Sequence, residues 1–313
     1  MKTLTKVGVA LSVLLSLGAC SQPANEAPQD YYMFTSFHEP ANEGLRFLYS
    51  ADGIHWDSVP GTWLKPELGD SILRDPSIIV GKDSTFHLVW TLSWRGNTGF
   101  GYARSKDLVH WSDQRRIPAM DSVPSTVNVW APEWFYDDVN DCYMVIYSSC
   151  VPERKFDLGV EEENNNHRLY YVTTRDFETF SAPELLYDPG FSCIDATLVK
   201  RGEQDYVMVL KDNTRPNRNL KVAFAKRPTG PYTAASSPFT GFLVEGPSVE
   251  KLGDDYLIYF DDYRTHIYGA VKTRDFADFI PMTDSVSIPK GHKHGTIFRA
   301  PEAVVKGLLD QAK

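Results

Sequence analysis

The chain has 313 residues, of which 42% are hydrophobic and 13% aromatic, so a single large domain can bury an extensive apolar core. Its formal net charge of −9 and the lack of a basic run in the sequence argue against nucleic acid as a partner. The 21 glycines and 20 prolines supply many turns, and helical periodicity is nearly absent, which predicts an all-β fold.

The N-terminus carries an export signal. Lys2 and Lys6 precede an apolar run over residues 7–17, which is too short to span a bilayer as a mature helix and is typical of a signal peptide. The stretch Leu17–Cys20 (LGAC) resembles a bacterial lipobox, in which the cysteine is lipidated and becomes the mature N-terminus. We therefore expect a lipid on Cys20. The alternative is an ordinary signal peptide in which this cysteine is incidental.

These signals divide the chain into three parts. Residues 1–19 are the predicted signal peptide, residues 20–30 a polar, proline-containing tether, and residues 31–313 the folded domain. We expect a lipid-anchored monomer of a bacterial cell envelope, periplasmic or on the outer-membrane surface, that contacts the membrane through its lipid only.

Two signatures recur along the domain. Four segments begin with a polar or acidic residue group and continue as an apolar strand: RDPSIIV from Arg74, WAPEWFY from Trp130, IDATLV from Ile194 and EGPSVEKL from Glu245. Five turns look alike: SADGIHW from Ser50, SKDLVHW from Ser105, TRDFETF from Thr174, KRPTGPY from Lys226 and TRDFADF from Thr273. Their separation of roughly 50 to 70 residues is within reach of the ~40–50-residue period of propeller blades with loop insertions. The pattern predicts five four-stranded sheets stacked radially.

The first and last segments of the domain each lack part of a blade, and together they supply one complete blade. The strands before Asp52 have no opening strand, whereas the segment HGTIF from His294 has no blade of its own. We therefore predict a five-bladed β-propeller whose ring is closed by the C-terminal strand, which removes an exposed sheet edge. The alternative is an open sandwich. A short helix follows over residues 302–312, and its apolar face carries Val304, Val305, Leu308 and Leu309.

The domain contains three cysteines, so at least one has no disulfide partner. Cys142 and Cys150 bracket one predicted strand, and eight steps of ~3.3 Å would hold them roughly 26 Å apart, beyond disulfide reach. We expect Cys142, Cys150 and Cys193 to be buried free thiols. The sequence has no cysteine and histidine cluster that predicts a zinc site.

Three opening strands carry a carboxylate at or near their start: Asp75, Asp195 and Glu245. Similar positions in successive blades converge on the axis, where two carboxyl groups can hydrolyse a glycosidic bond if one is protonated and the other ionised. We expect Asp75 and Glu245 to be this pair; burial of either against a permanent cation, or their placement in separate regions, would contradict the hydrolase interpretation. Asp195 is expected to raise the pKa of Glu245 by charge repulsion. The simpler interpretation is that each acid caps a strand or turn.

Sugar-binding cavities also need flat apolar faces. Aromatic residues near the opening strands are candidates for the mouth: Trp94, Trp130, Trp134 and Phe191. Trp130 is our first choice, whereas Trp56 and Trp111 lie in outer turns and are expected to be structural. The alternative is that most of these rings belong to the core between blades. Candidates for binding sugar hydroxyls are Arg74, Asp262, Tyr263 and Arg264.

Taken together, these signatures resemble glycoside hydrolase family 43, whose members are five-bladed propellers. The resemblance rests on Arg74-Asp75-Pro76, Trp130-Ala131-Pro132-Glu133, Ile194-Asp195-Ala196-Thr197, Glu245-Gly246-Pro247 and His294-Gly295. It implies that Asp75 is the general base that activates water, that Asp195 modulates pKa and position, and that Glu245 is the general acid of an inverting reaction. One departure is that almost a blade of sequence precedes Asp75, which weakens any transfer of substrate preference.

The resemblance also implies substrates and a metal. We expect an exo-acting α-L-arabinofuranosidase that trims plant polysaccharide side chains. Alternatives within the family are a β-xylosidase or endo-1,4-β-xylanase and an exo-β-1,3-galactanase. No cofactor is expected to be required, but Ca²⁺ on the propeller axis beside His294 is implied, with water supplying most of its ligands. A lone histidine is more often a structural hydrogen-bonding group.

Two other classes stay open. Retaining fructan or sucrose hydrolases also use an Arg-Asp-Pro element, but their early Trp-Met-Asn-Asp-Pro and their Glu-Cys patterns do not occur in this sequence, in which Gly246 follows Glu245. The other class is a non-catalytic, surface glycan-binding lipoprotein, against which the retention of three carboxylates argues.

Overall fold

The computed structural model describes residues 30–312, which form an all-β fold with one short α-helix. The predictions for residues 1–29, including the signal peptide and the lipid on Cys20, lie outside this range and stay predictions. Within residues 30–312, no helix is both long and apolar enough to cross a bilayer.

The strands are, in chain order, β1 (Asp30–Ser36), β2 (Leu45–Ser50), β3 (Asp57–Leu64), β4 (Arg74–Val80), β5 (Phe86–Thr91), β6 (Phe100–Ser105), β7 (Arg115–Ile117), β8 (Asn128–Asp137), β9 (Cys142–Cys150), β10 (His167–Thr174), β11 (Glu184–Tyr187), β12 (Cys193–Gly202), β13 (Asp205–Asp212), β14 (Asn219–Ala225), β15 (Val244–Leu252), β16 (Asp255–Asp262), β17 (Ile267–Thr273), β18 (Ile280–Pro281) and β19 (Ile297–Pro301). Two single-turn 3-10 helices cover Pro152–Arg154 and Glu163–Asn165, and helix α1 covers Glu302–Gln311.

These strands form five antiparallel sheets, which confirms the predicted five-bladed propeller. Their orders are β19-β1-β2-β3, β4-β5-β6-β7, β8-β9-β10-β11, β12-β13-β14 and β15-β16-β17-β18. The first strands of the sheets contact one another in a closed cycle, β4 to β8 to β12 to β15 to β19 and back to β4. These five inner strands therefore surround the axis of the propeller.

One blade departs from the four-stranded pattern. The sheet that begins with β12 has three strands, because the segment after the atypical turn at Lys226 follows β14 only through scattered backbone hydrogen bonds. Thr233 donates to Phe224 and Ser236 donates to Val222, each at 2.8 Å. Pro231 and Pro238 interrupt this segment, and proline cannot donate a ladder hydrogen bond.

The C-terminal segment closes the ring, as the sequence predicts. Strand β19 pairs antiparallel with β1, from Asp30 opposite Pro301 to Phe34 opposite Ile297. The paired strand begins at Ile297, a few residues after the predicted start at His294. Helix α1 follows at once, and its residues Val305 and Leu308 are buried against the first blade.

The shared turns have a shared hydrogen-bond pattern. In the first, the backbone N–H of Gly53 donates to Ser50 Oγ at 2.9 Å, and those of Ile54 and His55 donate to Asp52 Oδ1 at 2.8 Å. The same arrangement recurs with Asp107, Asp176 and Asp275. A hydroxyl followed two residues later by an aspartate thus caps each turn, which explains why the signature recurs.

The apolar core lies mainly between neighbouring blades. One cluster joins Phe100 and Tyr102 of the second blade to Val145 and Tyr170 of the third. The predicted free thiols are confirmed: Cys142, Cys150 and Cys193 are unpaired and buried, and the first two are the ends of strand β9.

Four inner strands have a β-bulge near their start. The ladder register shifts directly after Arg74, Trp130, Ile194 and Glu245. The following residue has a positive φ in each strand: 50° at Asp75, 48° at Ala131, 51° at Asp195 and 60° at Gly246. Residues other than glycine rarely adopt a positive φ, so its recurrence at the same position of four strands indicates that the bulge is a repeated element of the blade design rather than a local irregularity. The shared bend brings signature residues of four blades to one cavity.

Ring closure predicts the cost of one substitution. A β-carbon at Gly295 would overlap the backbone carbonyl oxygen of Thr35 in β1, which cannot move aside as a side chain can. We expect Gly295→Ala to lower the free energy of unfolding by about 1–3 kcal/mol, the usual cost of overpacking. Urea unfolding measures this loss. Gly202→Ala is the control, because its β-carbon meets no atom within 4 Å. Equal stability of the two variants would contradict the prediction.

Candidate active site

A cavity of about 900 Å³ opens where the inner strands begin, within the size range of ligand sites. Eight of the residues predicted from the sequence line it: Arg74, Asp75, Trp94, Trp130, Asp195, Glu245, Tyr263 and His294. The three carboxylates come from β4, β12 and β15, so they are far apart in the chain and meet only because the blades are arranged around one axis.

Asp75 is held as a carboxylate. Its Oδ2 accepts a hydrogen bond from Thr91 Oγ1 at 2.8 Å, and its Oδ1 lies 3.2 Å from His294 Nδ1. Burial raises the pKa of Asp75, but the hydrogen bond and charge of His294, with Arg74 and Thr91, outweigh burial and lower this pKa below its ordinary value. Asp75 is therefore buried beside a cation, but His294 is a titratable cation rather than a permanent one.

Asp195 differs from Asp75 in its charge state. Its Oδ2 accepts a hydrogen bond from the backbone N–H of Gly246 at 3.2 Å. Burial is the main cause that raises the pKa of Asp195. The cations His294 and Lys211 oppose it, while the charges of Glu245 and Asp75 add to it, so the pKa lies above its ordinary value.

Glu245 is paired with a lysine that the sequence analysis did not identify. Lys211 Nζ donates to Glu245 Oε2 at 2.7 Å; the Lys211 side chain is 2% exposed, whereas that of Glu245 is 27% exposed. Burial raises the pKa of Glu245, but the charge and hydrogen bond of Lys211 outweigh it and lower the pKa. This corrects two expectations: Glu245 does have a cationic partner, and the carboxyl group with a raised pKa is that of Asp195.

His294 was the candidate metal ligand. Its ring contacts Asp75, and although burial lowers its pKa, the hydrogen bond to Asp75 and the nearby carboxylates raise it to about 9. An imidazolium has no free lone pair for a metal. Within residues 30–312, no group of three or more His, Cys, Asp and Glu side chains could hold a metal ion. This donor set does not fit Ca²⁺ well, which prefers six to eight oxygen ligands; the metal stays a prediction from the resemblance.

An aromatic wall bounds one side of the cavity. The ring of Trp94, which is 53% exposed, meets that of Trp130 edge to face at 6.0 Å, and Trp130 Nε1 donates to the Trp94 carbonyl oxygen at 2.9 Å. Trp130 also stacks on His167 at 4.6 Å, and the Arg74 guanidinium lies 4.2 Å over the Trp94 ring. These contacts hold the two rings at about 89° to each other, so a sugar can pack on the flat face of one ring at a time.

Other candidates from the sequence lie elsewhere. Phe191 does not line the cavity; it packs against the core beside β12, with Lys221 Nζ 4.4 Å over its ring. Trp134 is buried in the core between two blades. Asp262 and Arg264 bind each other, Nε to Oδ1 at 3.0 Å, and do not line the cavity. Trp56 and Trp111 pack against the core, as expected.

A second polar group surrounds the axis two residues beyond the bulges: Ser77, Glu133, Thr197, Ser248 and Thr296. Glu133 is its only acid; it accepts hydrogen bonds from Thr197 Oγ1 at 3.2 Å and from Thr296 Oγ1 at 2.6 Å, and burial raises its pKa. Lys211, which lines the cavity, and Glu133, which belongs to this second polar group, were not predicted from the sequence. Both could have been recognised from the sequence, because each is a charged residue inside an apolar strand, where burial requires a polar partner.

Comparisons with known proteins found a matching family, a similar sequence and similar folds. A family model described as "Probable glycosyl hydrolase domain" matches residues 28–303. An α-L-arabinofuranosidase of Bifidobacterium longum subsp. longum is 30% identical over a match that covers 43% of this chain. The match spans 15% of that protein's length.

Two solved structures show the same fold at low identity. An α-L-arabinofuranosidase from Clostridium thermocellum ATCC 27405 has a TM-score of 0.57 at 11% identity, covering 83% of this chain and 93% of its own. An α-L-arabinanase from Cellvibrio cellulosa, complexed with arabinohexaose, has a TM-score of 0.57 at 14% identity, covering 84% and 96%.

The pairing of Lys211 with Glu245 predicts a titration. Lys211→Met removes the charge and keeps most of the side-chain volume, so we expect the pKa of the Glu245 carboxyl to rise. A ¹³C NMR titration of the glutamate carboxyl groups measures it. Lys200→Met breaks an ion pair with Asp138 outside the cavity and is the control. A pKa that falls or stays the same in Lys211→Met would contradict our explanation of the shift.

Proposed function

The chain belongs to the glycosyl hydrolases related to family 43, and we propose that it hydrolyses O-glycosidic bonds in side chains of plant cell-wall polysaccharides. One observation carries this proposal: Asp75, Asp195 and Glu245, supplied by three blades, line one sugar-sized cavity. The pKa values of Asp75 and Glu245 are lowered and that of Asp195 is raised, so Asp75 fits the role of a base directly, whereas Glu245 acts as an acid only in its protonated fraction.

In the proposed reaction Asp75 is the general base. A lowered pKa keeps it ionised, so it can take a proton from water while the water oxygen attacks the anomeric carbon. Glu245 is the general acid: it gives its proton to the leaving oxygen as the glycosidic bond breaks. The products are a free sugar of inverted configuration and a shortened glycan.

Asp195 and Lys211 set the state of the acid. Asp195 positions Glu245 through the hydrogen bond from the Gly246 N–H, one residue further along the chain. Lys211 favours the ionised form of Glu245, whereas the reaction needs the protonated form. The fraction of the enzyme in which Glu245 is protonated therefore increases as the pH falls towards the pKa of Glu245. We propose an optimum on the acidic side of neutrality.

For the sugar, we propose an exo-acting α-L-arabinofuranosidase. The partial match to a Bifidobacterium longum α-L-arabinofuranosidase supports this choice. The aromatic wall of Trp94 and Trp130 offers a face for one sugar ring beside the carboxylates. Xylosides and β-1,3-galactan stay in the screen described below as competing substrates.

The ion pair between Lys211 and Glu245 favours a second candidate, a glycan-binding protein without catalysis. A carboxylate held ionised by a lysine binds sugar hydroxyls well and donates no proton. The two candidates differ in whether bonds are broken, which the variants below test.

Substitutions at the carboxylates separate their roles. We expect Glu245→Gln to lower kcat by about 10²- to 10⁴-fold for natural glycosides, but much less for dinitrophenyl glycosides, whose leaving group needs no proton. Asp75→Asn should lower kcat by a similar factor for both substrates, because each needs an activated water. Asp138→Asn, outside the cavity, is the control, and circular dichroism verifies folding. Unchanged rates in Glu245→Gln would refute its role as the acid.

A substrate screen tests the sugar and the stereochemistry. Arabinosyl, xylosyl and galactosyl substrates, both aryl glycosides and oligosaccharides, are incubated with the wild-type protein, and ¹H NMR follows the anomer released first. We expect arabinose, released with inverted configuration. Retention would rule out the water-activating role of Asp75, and binding without any hydrolysis would favour the second candidate.

A further inference from the structure

The cavity contains more basic groups than its acids can pair with. Three of its basic side chains bind carboxylates that also line it: Arg74 with Glu39 at 2.6 Å, Lys211 with Glu245 at 2.7 Å and His294 with Asp75 at 3.2 Å. A fourth, Lys293, binds Asp261 at 3.0 Å. Of the acids that line the cavity, only Asp195 is left without an ion pair, and its raised pKa favours the neutral form.

Burial lowers the pKa of His38, which also lines the cavity, and so favours its neutral form; three further basic side chains line the same cavity: Arg218, His266 and Lys290. Within residues 30–312, none of them forms a side-chain hydrogen bond or an ion pair, and Arg218 Nε is shielded from solvent without a hydrogen-bond partner. A chain with a formal charge of −9 thus has a cavity with unpaired positive charge. Such a cavity concentrates anions that the rest of the surface repels.

Arg218 is the best placed of the three. Its carbonyl oxygen accepts a hydrogen bond from the N–H of Val244 at 3.1 Å, so it is tied to the residue that precedes Glu245. Its φ of 47° is unusual for a residue with a β-carbon, and such conformations cluster at ligand sites. Glu245 is the proposed proton donor to the leaving oxygen, so the backbone of Arg218 is fixed beside the start of the strand that carries this donor.

We propose that the cavity binds a uronic acid, with the guanidinium of Arg218 on the sugar carboxylate and with Lys290 and His266 close to it. A guanidinium presents two parallel N–H donors that match a carboxylate, which suits it to this role. The inference rests on the proposed function and names its substrate class: glycans whose sugar next to the cleaved bond is acidic.

Binding measurements test this without turnover. In the Asp75→Asn background, which removes the proposed base and leaves the ion pair of Lys211 with Glu245 intact, calorimetry compares acidic oligosaccharides from pectin, arabinogalactan and glucuronoxylan with the same oligosaccharides after reduction of their carboxyl groups. We expect at least one acidic form to bind more tightly than its reduced form. Adding Arg218→Gln should remove about 10- to 100-fold of that affinity, the usual effect of a charge-assisted hydrogen bond. Adding Lys290→Gln, at an exposed position, should weaken acidic binding to a smaller extent.

Arg227→Gln is the matched control, since it removes the same charge from an exposed position outside the cavity and should leave the preference intact. Equal affinity for acidic and reduced forms would overturn the proposal, as would a preference that survives Arg218→Gln. Sulfated oligosaccharides form a separate arm, and tighter binding of sulfate esters would overturn the uronate assignment. A wild-type protein that hydrolyses neutral glycosides but shows no acidic preference would refute this inference alone, whereas inactivity on every glycoside would count against the proposed function.

Discussion

Closure of the ring is the constraint on which the rest of the structure depends. The pairing of β19 with β1 joins the two ends of the described chain, and the approach to β19 carries Lys293 and His294 to the axis. At the axis, His294 forms an ion pair with Asp75, and Lys293 forms one with Asp261. Removing one partner of a buried ion pair costs about 3–5 kcal/mol, because the other charge is left uncompensated. The carboxylate of the first inner strand therefore depends on a residue from the far end of the domain, so the charge state of the proposed base is coupled to completion of the fold.

The site is an arrangement of paired charges rather than three isolated acids. His294 keeps Asp75 ionised, Lys211 does the same for Glu245, and the repulsion that remains falls on Asp195, which is the carboxyl with the raised pKa. Of the three carboxyl groups, the one whose pKa is raised is thus the one that is hydrogen-bonded to the backbone next to Glu245. These pKa shifts are those expected if Asp75 is a base and Asp195 is a positioning residue. Glu245 can act as an acid only when a low pH or a bound sugar offsets the effect of Lys211 on its pKa. Whether the protein is a hydrolase or only binds glycans therefore depends on the ion pair between Lys211 and Glu245.

The sequence predicted features that local chemistry determines. The turns could be recognised because a hydroxyl and an aspartate two residues apart bind the same backbone N–H groups in each copy, and closure followed from an unpaired strand at each end. Lys211 was missed because it lies inside the apolar run of β13, where strand alternation says nothing about which blade supplies its partner. Phe191 and Trp134 were misplaced for a related reason: proximity to an opening strand does not decide whether a ring faces the cavity or the adjacent blade. Both errors concern contacts between blades, which a single sequence does not encode locally.

The bulges explain why the third carboxylate is a glutamate placed one residue early. Asp75 and Asp195 occupy the position of positive φ themselves, but in β15 that position is Gly246. A β-carbon on Gly246 would overlap the ring of His294, so no side chain fits there once the ring has closed. An acid from this blade must come from a neighbouring position, and Glu245 provides one with an additional methylene to reach the cavity. The same crowding holds His294 in place beside Asp75. The pair Glu245-Gly246 therefore meets two requirements. Gly246 leaves room for His294, which keeps Asp75 ionised, and Glu245 supplies the carboxyl group of the proposed acid.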